Sequence, residues 1–146
     1  MNTSLSMTAS SAAEFCLSLV RAAATVGRRF DGRLGSFHGI SFADFAILLQ
    51  LRRAPQSRLR RVDLAEQLGL TASAVTRALV PLEKIGLVSR KQDPNDARVG
   101  YATLTPAGRR VLDEALETVE MIAAEIVPDD DVAQDGMHAL ERVAGR

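Results

Sequence analysis

Three side chains in the stretch LTASAVTRALVPLEKIGLVSR, residues 70–90, have the types and the spacing needed to read DNA bases. Ser73 precedes Thr76 by three residues and Arg77 by four, so the three share one face of a helix. Arginine donates two hydrogen bonds to guanine, and hydroxyls reach bases or phosphates. The sequence predicts a face for the major groove, with Thr71 at its N-terminal edge; the alternative is an ordinary solvated helix surface.

A second candidate pair lies in the turn DPNDAR, where Arg98 follows Asp96 by two residues. An arginine at the tip of a hairpin can enter a narrow, electronegative minor groove. Phosphates repel a carboxylate, so we interpret Asp96 as an intramolecular partner that orients Arg98. The alternative is that Asp96 only forms the turn.

Basic residues are concentrated in the middle of the chain. The formal charge is +1 over residues 1–50, +7 over 51–110 and −8 over 111–146, although the whole chain is neutral. Such segregation is typical of a fold that presents one part to phosphates, but chance clustering on a solvated surface is the alternative. The predicted phosphate contacts are Arg60, Arg61, Lys84, Arg90 and Lys91.

Other reactive side chains give weaker indications. Cys16, the only cysteine, lies near the apolar stripe of the first predicted helix and is expected to be a small buried hydrophobe; a peroxide sensor is the alternative. His38, with Phe37 and Phe42 nearby, is a candidate for lining a ligand site, although a solvated histidine is the simpler interpretation. We find no catalytic set, phosphate loop or metal-ligand spacing, so the sequence offers no argument for an enzyme, a cofactor or a metal.

Apolar residues at three and four spacing predict the helices that position these residues. The first runs from about Ser10 to Leu34 and is broken by the glycines and His38 of GSFHGI. The second spans about Phe42–Arg53, opens with a capping box from Ser41 to Asp44, and stops before Pro55.

Two short helices follow, Val62–Leu68 and about Ala72–Ile85, joined through Gly69 and capped by Thr71, which is a helix-turn-helix pattern. Pro81 either kinks the second of these helices or ends its groove-entering part. The runs LVSRKQ and RVGYATL flank the turn and predict a hairpin wing at about residues 87–104, next to a possible very short strand at Leu59.

The last predicted helices run from Pro106 to about Val127 and from about Asp129 onward. Their apolar stripes, and that of the first helix, exceed what the central module can cover, so we expect a symmetric homodimer. The expected organisation is a flexible N-terminus at residues 1–9 and one domain at 10–146. In that domain residues 10–40 and 106–146 form the dimerisation helices, and 41–105 form the winged helix-turn-helix. No signal peptide or membrane-spanning run is recognisable, which favours a soluble cytoplasmic protein without a membrane partner.

This order of elements resembles the MarR family of bacterial regulators. The most specific portions are LAEQLGLTASAVTRALVPLEKIGLVSR and DPNDARVGYATLTPAGRRVL, which look like the family's helix-turn-helix, D-x-R wing and L-T-x-x-G segment. The resemblance implies a mainly α fold with a small β-hairpin wing (α+β) and a homodimer on double-stranded DNA with a pseudo-palindromic operator. It also implies repression relieved by a small aromatic or anionic effector, and DNA contacts by Ser73, Thr76, Arg77 and Arg98.

Two alternatives to a ligand-responsive repressor stay open. A redox branch of the family uses a cysteine near the start of the first helix, as Cys16 is placed, but tyrosines assist it there, whereas the only tyrosine here is Tyr101 in the wing. Winged helices also serve as protein-interaction modules that do not touch DNA.

Overall fold

Between residues 9 and 145, the part of the chain that the computed structural model describes, the chain forms six α-helices and three short strands. The predicted mainly α fold with a small wing is confirmed. The predicted flexible terminus, residues 1–9, lies outside the described residues except for its last position. The elements are α1 (Ser11–His38), α2 (Phe42–Arg53), a 3₁₀ turn (Pro55–Ser57), β1 (Arg58–Arg60), α3 (Arg61–Leu68), α4 (Ala72–Lys84), β2 (Val88–Gln92), β3 (Gly100–Leu104), α5 (Pro106–Ile126) and α6 (Asp130–Ala144).

Side-chain caps set the starts of the central helices. At α2 the Ser41 hydroxyl accepts from the amide of Asp44 at 3.0 Å, and the Asp44 carboxylate accepts from the amide of Ser41 at 2.9 Å, which confirms the predicted capping box. Thr105 caps α5, with Pro106 in the first turn, where a missing amide costs nothing. Each cap satisfies amides that the helix itself leaves unpaired.

The core lies where α1, α2 and α5 meet, and α4 joins it through contacts with α3 and β2. Leu34 from α1, Leu48 from α2 and Leu112 from α5 are fully buried there. Val75 and Leu79 bury the inner face of α4 against the same cluster, as the periodicity predicted. This packing holds α4 at a set rotation relative to the rest of the chain.

The wing is part of a three-stranded antiparallel sheet with the order β1-β3-β2. The predicted hairpin is thus joined by a third strand, because β1 pairs with β3 through Leu59 opposite Ala102. Strand β2 pairs with the other edge of β3, with Val88 opposite Leu104. Pairing on both edges of β3 holds the base of the wing against the core.

The start of α5 packs directly against the start of the wing. The Thr105 amide donates to the Leu87 carbonyl at 3.1 Å, and a Cβ added at Gly108 would lie 2.1 Å from that carbonyl oxygen. Only glycine therefore allows this approach.

One helix boundary differs from the prediction. Helix α1 does not end near Leu34 but continues to His38, where Gly39 adopts a left-handed conformation and its amide donates to the Gly35 carbonyl. Burial of Leu34 on one side of Gly35 and of Ile40 beyond it offsets the low helix propensity of glycine. Helix α4 runs through Pro81 to Lys84, which agrees with the predicted end at about Ile85.

Helix α6 buries none of its side chains within the described chain. Apolar residues on α1, α5 and α6 are also exposed there: Phe15, Leu17, Val20, Met121, Val132, Met137, Leu140 and Val143.

Within residues 9–145 no single helix has the length and apolar character to cross a membrane, and only α1 and α2, taken together as a pair bent by 78°, meet those two requirements.

Candidate nucleic-acid interface

The outer face of α4 presents the side chains predicted to read bases. Because Val75 and Leu79 point into the core, Ser73 and Arg77 point away from it and are exposed. Within the described chain neither Ser73 nor Arg77 has a side-chain hydrogen bond or an ion pair. Their full hydrogen-bonding capacity is therefore available to a ligand.

Two threonines of this region are partly engaged by the helix backbone. The Thr71 hydroxyl accepts from the amide of Ala74 at 3.1 Å, which caps α4 and leaves its proton free to donate. The Thr76 hydroxyl donates to the Ala72 carbonyl at 3.0 Å, which leaves its lone pairs free to accept. The two hydroxyls can thus offer a donor and an acceptor respectively to a partner.

All the predicted major-groove residues except Thr71 line one open basin of about 470 Å³ together with the start of α3. Its walls come from Ser73, Thr76 and Arg77 of α4 and from Arg61 and Val62 of α3. The basin combines two guanidinium groups with two hydroxyls and the apolar side chains of Val62 and Ala72, and such groups contact base edges and thymine methyl groups.

At the tip of the wing, Asp96 holds Arg98 as the sequence predicted. The Asp96 carboxylate accepts from Arg98 Nε at 3.1 Å, from its Nη2 at 3.2 Å and from its amide at 3.0 Å. The Arg98 side chain is 90% exposed all the same, so its outer edge faces solvent. These hydrogen bonds from Arg98 lower the pKa of Asp96.

The predicted phosphate contacts divide into paired and unpaired cations. Arg60 donates to both carboxylate oxygens of Asp63, at 2.8 and 3.1 Å, and this pair raises the pKa of Arg60. Arg90 pairs with Glu83 at 2.9 Å. In contrast, Lys84, Lys91 and Arg61 have no ion pair within the described residues.

A hollow of about 220 Å³ between α4 and the wing gathers several of these cations. Arg61, Arg90, Lys91 and Arg98 line it, with Tyr101 on the wall. Basic residues up to 37 positions apart in the chain, from Arg61 to Arg98, thus form one positively charged surface that continues from the α4 basin to the wing tip. Such a surface attracts a polyanion.

The remaining predicted site residues lie elsewhere. Cys16 is exposed on α1, so the expectation that it is buried is wrong for the single chain. His38 lies in the last turn of α1, not in a loop, and its Nε2 is 2.8 Å from the Thr118 hydroxyl. Phe42 stacks on Phe30 with ring centroids 4.2 Å apart, whereas Phe37 is exposed, so the structure does not bring the three predicted ligand-site residues together.

Sequence reasoning missed four residues of this surface. Val62 is exposed in the α4 basin, and its place one residue after Arg61 at a helix start was the available signal. Asp93 and Tyr101 contact each other, and Arg58 covers the Tyr101 ring. No local pattern indicated these contacts, because they join separate strands and the turn.

The comparisons with known proteins agree with this arrangement. The MarR family model matches residues 40–99, which contain α2, the helix-turn-helix and most of the wing. The HTH-type transcriptional regulator YdgJ of Bacillus subtilis is 32% identical over 89 residues, which cover 61% of this chain and 53% of that protein. The chain thus matches about half the length of the first curated relatives.

Several solved structures match more than nine-tenths of the chain. The transcriptional regulator BldR from Sulfolobus solfataricus is 29% identical with a TM-score of 0.82, over 91% of this chain and 94% of that one. Sco3205 from Streptomyces coelicolor, a MarR family transcriptional regulator in complex with DNA, is 25% identical with a TM-score of 0.83, over 99% and 91%. From its winged helix-turn-helix geometry and these matches, residues 40–99 are a MarR family domain, within a fold that MarR family regulators share.

Proposed function

We propose that this protein is a sequence-specific DNA-binding transcriptional regulator that acts as a homodimer. The observation that carries the proposal is the continuous basic surface formed by the α4 basin and the wing, with Arg77 and Arg98 at its two ends. The same architecture in Sco3205 is described in complex with DNA, which supports the docking mode. In the docking mode that we propose for this chain, α4 enters the major groove and Arg98 enters the adjacent minor groove. The proposed major-groove contacts are Thr71, Ser73, Thr76 and Arg77.

The unpaired cations fit contacts with the DNA backbone. Arg61, Lys84 and Lys91 are proposed as phosphate contacts with their full charge. Arg60 and Arg90 already share carboxylates, so a phosphate must compete with Asp63 and Glu83 for their guanidinium groups. Arg60 and Arg90 should therefore contribute less to DNA affinity than the three unpaired cations.

Exposed apolar residues on α1, α5 and α6 support the proposed homodimer. Helix α6 buries no side chain in the single chain, and Leu140 and Val143 remain about half exposed. A second copy packed through residues 10–40 and 106–146 would cover these faces and set the distance between two α4 helices. Pseudo-palindromic half-sites should then lie about one helical turn, roughly 34 Å, apart.

Repression relieved by a small aromatic or anionic effector is the mode of regulation that we propose. Such an effector would bind more tightly to a state of the dimer in which the distance between the two α4 helices does not match the operator half-sites. It would thereby lower the affinity of the dimer for DNA. A cytoplasmic location follows from a chromosomal DNA partner. The exposed thiol of Cys16 keeps peroxide sensing as a second candidate, and peroxide should then change DNA binding of the wild type but not of Cys16→Ser.

Selection from a library of random duplexes tests the proposal directly. A DNA-binding dimer should enrich an inverted repeat, and its affinity should fall linearly with the logarithm of salt concentration. The rival function is a winged-helix protein-interaction module. Failure to enrich any sequence, together with weak binding that salt does not change, would favour that rival.

A further inference from the structure

We propose that Tyr101 and Asp93 are positioning residues that brace the wing tip, so that Arg98 is presented to DNA in one orientation. The inference rests on the proposed function, since it assigns a role in DNA binding to residues that need not touch DNA. It deepens that function because it identifies what holds the minor-groove contact in place. Three linked sets of contacts carry it.

The first set centres on Asp93, at the start of the turn. One oxygen of its carboxylate accepts from the amides of Asn95 at 2.8 Å and Asp96 at 3.2 Å, which folds the turn around that carboxylate. The Asp93 amide donates to the Val99 carbonyl at 2.8 Å and closes the two strands. Asp93 thus determines the path of the backbone that carries Asp96.

The second set holds the Asp93 carboxylate itself. The Tyr101 hydroxyl donates to its other oxygen at 3.4 Å. Arg58 of β1 places its guanidinium carbon 4.5 Å from the centroid of the Tyr101 ring, a cation–π contact. Because β1 pairs with β3 next to the core, these contacts connect the turn to the rigid part of the molecule.

The third set leads from the turn to Arg98. Asp96, whose amide is held by Asp93, accepts three hydrogen bonds from the Arg98 backbone and side chain. The Arg98 side chain is otherwise 90% exposed, and a free arginine at a wing tip would lose rotamer entropy on entering a groove. The brace reduces that loss before DNA binds, which is preorganisation.

The test compares two hydroxyl deletions on the same strand. Tyr101→Phe removes the hydrogen bond to Asp93 but keeps the ring beneath Arg58. Thr103→Val is the matched control, because among the described residues the buried Thr103 hydroxyl has no hydrogen-bond partner. Tyr101→Phe should weaken binding to the selected operator about threefold to tenfold, while Thr103→Val should leave it unchanged.

A double-mutant cycle with Arg98→Ala separates positioning from direct contact. If Tyr101 acts through Arg98, Tyr101→Phe should have no further effect on affinity in the Arg98→Ala background. An equal loss in both backgrounds would overturn the proposal, and so would wild-type affinity of the single variant.

A measurement without DNA keeps the inference separate from the proposed function. Backbone order parameters of residues 95–98 from NMR relaxation should be about 0.85 in the wild type and in Thr103→Val. In Tyr101→Phe the order parameters of the same residues should be lower. Equal order parameters in all three proteins would refute the brace. If the wild type selects no DNA sequence, the proposed function fails, while the order parameters still decide whether the brace exists.

Discussion

At the scale of single residues, Arg77 and Arg98 differ in how they are held. Arg77 has no partner within the described chain and is free to adopt the geometry that a base requires. The Arg98 side chain is held by hydrogen bonds to Asp96 in the absence of DNA. We therefore expect Arg77 to determine sequence preference, and Arg98 to contribute affinity that depends less on sequence.

Replacement of Arg77 tests the first of these roles. Arg77→Ala should cost about 1–3 kcal/mol of binding free energy and relax base preference at one position of each half-site. Arg53→Ala is the matched control, since Arg53 is an exposed arginine at the end of α2, outside the proposed surface. Binding-site selection with both variants provides the measurement, and an unchanged preference in Arg77→Ala would remove it from the base contacts.

The titration of Asp96 tests the wing pair. Because hydrogen bonds from Arg98 lower the pKa of Asp96, the pair is fully present above the ordinary aspartate pKa, about 3.9. It is lost only as the pH falls through the lowered value. Carboxyl NMR should therefore show an Asp96 pKa below the ordinary value in the wild type and a return toward it in Arg98→Ala. The same pKa in both proteins would contradict the pair.

At the scale of elements, the junction of the wing with α5 depends on one glycine. Gly108 is buried, and a Cβ there would lie 2.1 Å from the Leu87 carbonyl oxygen and 2.8 Å from Leu104 Cδ1. The Leu87 carbonyl, one residue before β2, cannot move away easily, because the Thr105 amide donates to it. The base of the wing is therefore packed rigidly against the start of α5.

Gly108→Ala should lower the free energy of unfolding by about 1–3 kcal/mol through overpacking. The control is Gly32→Ala in α1, where an added Cβ meets nothing within 4 Å. That substitution should instead be neutral or stabilise by up to about 1 kcal/mol, because alanine favours a helix. Urea unfolding measures the free energy of unfolding of both variants. Equal changes in the two would show that the close approach at Gly108 has no energetic consequence.

At the scale of the whole molecule, the basic DNA-facing elements and the uncovered helix α6 lie in parts of the chain with opposite charge. Residues 51–110 carry +7 and contain the α4 basin and the wing, whereas residues 111–146 carry −8. The acidic part contains α6 and its uncovered apolar residues. This division suits a molecule that binds DNA at one end and a second copy at the other.

Substitutions on α6 test the proposed dimer without disturbing the core. Leu140→Ser combined with Val143→Ser should produce monomers in sedimentation and lose most operator affinity, since neither side chain is buried in the single chain. Gln134→Ser, an exposed polar position of the same helix, should remain dimeric. An unchanged sedimentation coefficient in the double variant would exclude α6 from the interface.

Much of the candidate site was determined by the sequence itself. Periodicity placed Val75 and Leu79 inward, so the outward direction of Ser73 and Arg77 followed from helix geometry alone. The caps at Ser41, Thr71 and Thr105 and the Asp96–Arg98 pair involve residues two or three positions apart. Interactions over such short separations depend little on the rest of the fold.

Only the tertiary structure decided the features that join distant residues. Helix α1 runs through Gly35 because core packing of Leu34 offsets local propensity, and Cys16 is exposed because no element between residues 9 and 145 covers it. The contacts among Arg58, Tyr101 and Asp93 depend on strand register, which brings together residues up to 43 positions apart. A periodic pattern shows which face of an element is buried but not which partner covers it, and that choice is made by the packing of the whole chain.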